Sequence, residues 1–289
     1  MSSQRLIDAN GIQLAVTEAG DGPPVVLVHG FPELAYSWRH QVPALAEAGL
    51  RAIAYDQRGF GGSSKPEAID EYGLTTLVDD LIGLLDAGGI DRAALVGHDW
   101  GSIVVWSAAL MFPDRVSKVV SLNVPYRGWC AGFPSTEYMQ QDETLRERFS
   151  YVLYFQEVGR AEKGFARSPS DWLKRSYLGV TADTEFQTAE EFGVYVEAFT
   201  NGGIAGPINY YRNIDANLKA TAHLKDAPVT QPTLMVTTDY DPILPASLAE
   251  GMDRWVPDLE VAHVEGSGHW TQQEQPDRVN AILTGFLAV

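Results

Sequence analysis

A chain of 289 residues with 45% hydrophobic content can bury one large core, or a core carrying a substantial insertion, so disorder is not expected. Its 38 acidic and 21 basic side chains leave a formal charge of −17, which repels phosphate backbones and anionic lipid and argues against nucleic acid or a membrane surface as partner. The single cysteine, Cys130, excludes a disulfide framework and a multi-cysteine metal site and reads as a small buried or boundary residue.

Met1 to Ile12 lacks an apolar targeting segment and charges interrupt every apolar stretch of spanning length, so a cytoplasmic protein without a membrane span is expected. Arg5 to Ala9 and Ile12 to Glu18 flank Asn10 and Gly11, a dipeptide suited to a primed turn, and predict a hairpin. Val25 to Val28, Arg51 to Tyr55 and Ala93 to Val96 are short apolar runs that suit buried strands. Between the second and third, Leu74, Leu77, Val78, Leu81, Ile82 and Leu85 recur at helical spacing, and Gly88 with Gly89 supplies the stop. A helical run from Gly101 to Phe112 ends at Pro113, and a strand follows from Val116 to Leu122. This alternation predicts an α/β fold with a mostly parallel central sheet and flanking helices.

From about Tyr126 to Lys225 the strand rhythm stops and the sequence is helical in pattern and rich in aromatics. Strand signals resume at Pro232 to Thr237 and Leu259 to Val264, and an amphipathic helix carrying Val279, Ile282, Leu283 and Phe286 closes the chain. The expected organisation is therefore a core in two parts, 1–125 and 226–289, divided by a helical insertion over 126–225. There is no internal repeat, P-loop or zinc-protease helix.

Gly97, His98, Asp99, Trp100 and Gly101 lie between a strand and a helix, the context of a nucleophile elbow, in which flanking glycines let the central side chain project above the sheet. Taken alone the pattern is weak, because an Asp that ends a strand and caps the next helix is common. Two further residues complete a set in the order nucleophile, acid, histidine: Asp241 after one strand and His269 after the next. Asp239 competes for the acidic role, and Asp241 is preferred on its loop position together with the family resemblance described below. His269 occupies the loop of a general base. His29 reads as structural, although it opens the loop His29 to Glu33, where this fold builds half of an oxyanion hole. The backbone N–H groups of Phe31 and Trp100 are the candidate donors. The Phe31–Pro32 bond is open to a cis form, which about 5–6% of X–Pro bonds adopt. Asp56 to Ser64 superficially suggests a phosphate loop but lacks the lysine and the glycine spacing, so it reads as a structural turn with Arg58 as an ion-pair partner.

Several motifs together resemble the soluble-type epoxide hydrolases of the α/β-hydrolase fold, over essentially the whole chain. They are His-Gly-Phe-Pro-Glu at 29–33, Tyr-Ser-Trp-Arg at 36–39, Gly-His-Asp-Trp-Gly at 97–101, Ser-Leu-Asn at 121–123 and Gly-His-Trp-Thr-Gln at 268–272. Two segments of the insertion match as well, at 149–156 and 206–213. The resemblance implies that the insertion is a helical cap and that Tyr151 and Tyr211 donate hydrogen bonds to an epoxide oxygen. Tyr154 and Tyr210 stand beside them, and periodicity does not separate the pairs. It further implies Asp99 as nucleophile, His269 as base and Asp241 as the orienting acid. Substrate contacts are expected from Phe31, Pro32, Trp100, Phe155 and Trp270. The expected partners are a small apolar epoxide and water, with no metal or organic cofactor, on a monomer or homodimer.

Haloalkane dehalogenases use the same triad but need N–H donors for a halide; Trp100 fits one such place and Phe31 offers no side-chain donor. A fluoroacetate-type dehalogenase expects an arginine where Trp100 stands, and no Gly-x-Ser-x-Gly supports a serine esterase. A non-catalytic ligand receptor on the same fold is the alternative of another class.

Overall fold

In the computed structural model, which describes residues 4–129 and 132–288, eight strands form one sheet in the order β1-β2-β4-β3-β5-β6-β7-β8. They are β1 (Arg5–Ala9), β2 (Ile12–Ala19), β3 (Pro24–Val28), β4 (Arg51–Tyr55), β5 (Ala93–His98), β6 (Val116–Leu122), β7 (Thr233–Thr238) and β8 (Leu259–Val264). The β1–β2 and β2–β4 pairs are antiparallel, and all others are parallel. The hairpin between β1 and β2 turns on Asn10 at φ 47° and Gly11 at φ 75°, the signs a primed turn requires. Cys130 lies outside the described residues.

Side chains alternate across the central strands. Val26 and Val28 face one apolar cluster, and Val25 and Leu27 face the other. The first cluster is closed by α2 (Leu74–Ala87) and α3 (Trp100–Met111), the second by α1 (Gln41–Glu47) and, at the end of the chain, Pro276–Leu287. Each Val or Leu buried in this way contributes about 1.5–3 kcal/mol, so the alternation fixes which face every loop serves. The two edge strands are the exception: Leu6 on β1 and Val261 on β8 are each 57% exposed.

Between β6 and β7 the described residues make eight α-helices, with no strand among them: α4 (Thr136–Gln141), α5 (Glu143–Arg148), α6 (Ser150–Phe155), α7 (Arg160–Arg167), α8 (Pro169–Leu178), α9 (Ala189–Gly202), α10 (Ala205–Arg212) and α11 (Ile214–Ala220). A short α12 (Thr271–Glu274) then precedes α13 (Pro276–Leu287). Buried hydroxyls pin this segment to the sheet domain. Tyr177 donates to the Pro32 carbonyl (2.7 Å), Tyr210 to the Arg58 carbonyl (2.9 Å) and Tyr195 to Gln273 Oε1 (2.9 Å). Tyrosine serves well here because its ring joins the core while its hydroxyl finds a partner.

No helix among the described residues is long and apolar enough to cross a membrane.

Candidate active site

The turn from β5 into α3 passes through Asp99 at φ 51°, ψ −122°. A non-glycine residue there carries strain on the order of 1–3 kcal/mol, tolerated where the surroundings over-determine it. They do so through close backbone approach: a Cβ on Gly101 would overlap the Val28 carbonyl, and one on Gly97 would meet the backbone of Gly101 and Ser102. The Asp99 side chain is consequently lifted to the ends of the parallel strands.

One of its oxygens is held. Asp99 Oδ1 accepts the Phe31 N–H at 2.7 Å, while Oδ2 faces His269 Nε2 at 3.7 Å. Burial pushes the Asp99 carboxyl above its ordinary range, opposed by the charges of His269 and His98 and by the Phe31 and Trp100 N–H groups. Asp99 thus presents a poorly solvated carboxylate with one fixed and one available oxygen.

His269 Nδ1 meets Asp241 Oδ2 at 2.6 Å, which leaves Nε2 turned towards Asp99. Asp241 Oδ1 accepts the N–H groups of Ile243 (3.0 Å) and Leu244 (2.9 Å), and Asn123 donates to Oδ2 at 3.1 Å. Burial works against the Asp241 charge, but His269 and these donors more than offset it and lower its pKa. Burial would likewise lower His269; the Asp241 charge and hydrogen bond, with Asp99 behind them, raise it to about 9. Asp239, the competitor for the acidic role, turns outward and binds His263 Nε2 (2.8 Å) and the Gly266 N–H (2.7 Å).

A group that sequence reasoning treated only as part of a motif, Glu33, ties these loops together. Fully buried, it accepts from the Gly30 N–H (2.8 Å), His98 Nδ1 (2.6 Å), Gln272 Nε2 (2.8 Å) and Gln273 Nε2 (3.0 Å). His98 Nε2 in turn donates to the His269 carbonyl at 2.7 Å. Burial opposes the Glu33 charge, yet His98 and the Gly30 N–H hold its pKa down at about 2. The oxyanion loop, the elbow and the histidine loop therefore meet on one buried carboxylate and its hydrogen-bond partners.

A cavity of about 260 Å³ opens over Asp99 and His269, lined by Phe31, Pro32, Tyr151, Phe155, Tyr211 and Trp270 among others. A larger one, about 830 Å³, lies against Thr17, Tyr36, Lys65 and Glu197 and contains none of the triad. The smaller is the chemically competent one. Tyr151 on α6 and Tyr211 on α10 stand edge to face across it, with ring centroids 5.7 Å apart. Burial first, then the Asp99 charge, raises both phenols, so they remain protonated donors. The neighbouring tyrosines are committed elsewhere: Tyr154 to the Arg160 carbonyl (3.2 Å) and Tyr210 to that of Arg58.

One expected contact is corrected. Trp100 does not line the cavity. As the first residue of α3 its side chain tucks behind the elbow, fully buried against Phe133 (5.3 Å) and Tyr211 (5.2 Å), and only its backbone N–H addresses Asp99. Phe133, Phe149, Ile243 and Leu244 were missed as lining residues, since nothing in their spacing distinguishes them from core. The Phe31–Pro32 bond is cis. His29 is buried and structural: it accepts the Gln57 N–H at Nε2 (3.0 Å) and donates to the Gly30 carbonyl (2.8 Å). Arg58 pairs with Asp80 through two bonds of 2.7 and 2.6 Å.

A carboxylate on a strained strand-to-helix turn, served by a histidine and an acid from the loops after the last two strands, defines the α/β-hydrolase class of enzyme. Residues 23–276 match the family model described as alpha/beta hydrolase fold. Epoxide hydrolase A of Mycobacterium tuberculosis is 40% identical over 99% of this chain and 97% of its own length. The bifunctional epoxide hydrolase 2 of Mus musculus is 37% identical over 96% of the chain, which spans only 54% of that longer protein. Among solved structures, epoxide hydrolase A from Mycobacterium thermoresistibile superposes with a TM-score of 0.90 at 40% identity, covering 99% of this chain and 98% of that one. Epoxide hydrolase VrEH1 from Vigna radiata gives 0.90 at 32% identity, with 98% and 97% covered. The chain belongs to the epoxide hydrolases of the α/β-hydrolase fold.

Proposed function

We propose that the protein hydrolyses epoxides to vicinal diols through an ester on Asp99, with 126–225 acting as the cap. The observation that carries this reading is two protonated phenols, Tyr151 and Tyr211, sharing a small apolar cavity with a carboxylate that keeps one oxygen free. Asp99 Oδ2 attacks a ring carbon, and the C–O electron pair passes to the epoxide oxygen. The phenols hydrogen-bond that oxygen and one gives it a proton. A carboxylate suits the step because it leaves a cleavable ester, whereas a serine would leave an ether.

Alkylation removes the Asp99 charge, which is one of the influences holding His269 high, and so moves His269 towards the range of a base. His269 then takes a proton from water, and the resulting nucleophile attacks Asp99 Cγ. Oδ1 becomes the oxyanion, already placed at the Phe31 N–H with that of Trp100 beside it. Collapse expels the diol carrying Oδ2, protonated by His269. The carboxylic acid left on Asp99 ionises and restores the phenol. Strain in the three-membered ring and the paired donors supply the activation, and the scheme calls on no metal or organic cofactor.

The haloalkane reading needs indole or amide N–H groups in the cavity. Trp270 Nε1 is committed to the Tyr177 carbonyl (3.1 Å), and Trp100 lies outside the lining. Styrene oxide and a chlorobutane offered to the same preparation separate the readings: phenylethanediol is expected without chloride release, and chloride without diol would overturn the proposal.

A further inference from the structure

We propose that Arg175 makes this enzyme select epoxides that carry an anionic group, such as a carboxylate, on the part of the molecule that reaches the cavity mouth. The inference rests on the epoxide-hydrolase reading above. Besides the two phenols, Tyr151 and Tyr211, three titratable side chains line the active-site cavity: Asp99, His269 and Arg175. His269 is held by Asp241 and faces Asp99 across 3.7 Å, so these two belong to the reacting centre. The Arg175 side chain is exposed, and no described residue forms a hydrogen bond or ion pair with its guanidinium, whereas Arg39, Arg58 and Arg212 are each held by a carboxylate.

Its backbone is nonetheless fixed over the catalytic groups. On α8, Trp172 stacks on Phe155 (6.2 Å, 28°) and meets Phe31 edge-on (6.2 Å). One turn later, Tyr177 donates to the Pro32 carbonyl and accepts the Trp270 indole N–H at its own carbonyl. The next residues continue the tie: the Val180 carbonyl accepts the His269 N–H at 2.8 Å. Arg175 thus projects from a helix stapled on both sides to the floor of the site.

On a chain of net charge −17, an anionic substrate meets general repulsion, so a free guanidinium at the mouth of an otherwise apolar cavity reverses the local field where the substrate enters. A cavity of about 260 Å³ takes the epoxide and its apolar flank, leaving a charged terminus to the mouth. Guanidinium matches carboxylate geometry through paired N–H donors. The competing role for Arg175 is helix-dipole compensation, since it stands in the last turn of α8.

The test uses the terminal epoxides of hexenoic, octenoic and undecenoic acids and their neutral carboxamides, with styrene oxide as reference, on the wild type and on Arg175→Lys, Arg175→Gln and Arg175→Glu. The wild type should prefer the acid over the amide at the chain length that spans the cavity, and added salt should erase the preference. Arg175→Gln should cut the acid-to-amide ratio of kcat/KM about fivefold, chiefly through KM. Arg175→Lys should keep most of it, and Arg175→Glu should invert it. The inference is overturned if the ratio is the same in the wild type, Arg175→Gln and Arg175→Glu, or if the variants lose Tm while all substrates decline together. It is overturned equally if styrene oxide is hydrolysed and no member of the acid series is. Failure to form a diol from any epoxide, styrene oxide included, would instead count against the hydrolase reading beneath it.

Discussion

Replacing Glu33 by Gln should destabilise the protein by about 3 kcal/mol at neutral pH. The four donors that converge on Glu33 come in two pairs, Gly30 with His98 on one oxygen and Gln272 with Gln273 on the other. An amide offers one acceptor and one donor end, so in either orientation it confronts a pair of donors with its own NH2. The same figure follows from linkage: a carboxyl brought from 4.5 to about 2, at about 1.4 kcal/mol per unit, contributes about 3 kcal/mol. Because the folded pKa is the lower one, this stability is fully present above about pH 4.5 and is lost as pH falls towards 2. Calorimetry of wild type and Glu33→Gln should therefore give Tm values roughly 5–10 °C apart at pH 7, converging as the pH is lowered through that window. A variant within 2 °C of wild type at pH 7, or a gap that persists undiminished at pH 2, would refute the reasoning.

Tyr151→Phe and Tyr211→Phe should each slow ester formation on the order of 100-fold, the scale of losing one transition-state donor, and stopped-flow indole fluorescence should show alkylation becoming rate-limiting. Asp241→Asn should depress steady-state turnover by about 1,000-fold or more, since it removes the group that orients and charges His269, while Asp239→Asn should stay within twofold of wild type; diol formation rates for the two variants read this directly. Single-turnover ester hydrolysis should rise with pH through an apparent pKa below the 9 of the free enzyme, because the ester no longer carries the Asp99 charge that helps raise His269. A hydrolysis rate flat from pH 6 to 9 would contradict that coupling.

Much of the sheet was legible because buried strands leave short apolar runs and the hairpin carries its turn residues openly at Asn10 and Gly11. Helices α1 and α12 were not read individually, as 7 and 4 residues are too few to establish a period. Within the site, Asp99 could be singled out only as one of a set, with an acid and His269 following in order in the loops after the last two strands. Loop position and resemblance favoured Asp241 over Asp239, and what separates the two physically is that Asp241 meets His269 while Asp239 turns to His263. Tyr151 and Tyr211 came from resemblance; what distinguishes them physically is that Tyr154 and Tyr210 spend their hydroxyls on backbone carbonyls elsewhere. The Glu33 cluster could not be read locally, because two of its partners lie 239 and 240 positions away along the chain. Trp100 was misplaced for a related reason: adjacency to the nucleophile in sequence says nothing about which side of the elbow a side chain occupies.

The central claim is that Asp99 carries the substrate as an ester that His269 must release. Intact-mass analysis of His269→Gln incubated with styrene oxide tests it most directly, since the variant retains the nucleophile and both phenols but lacks the base. The account predicts a single stoichiometric gain equal to the mass of the epoxide, mapped by peptide sequencing to Asp99 and absent in His269→Gln/Asp99→Asn. An unmodified His269→Gln protein, or an adduct on any other residue, would contradict it.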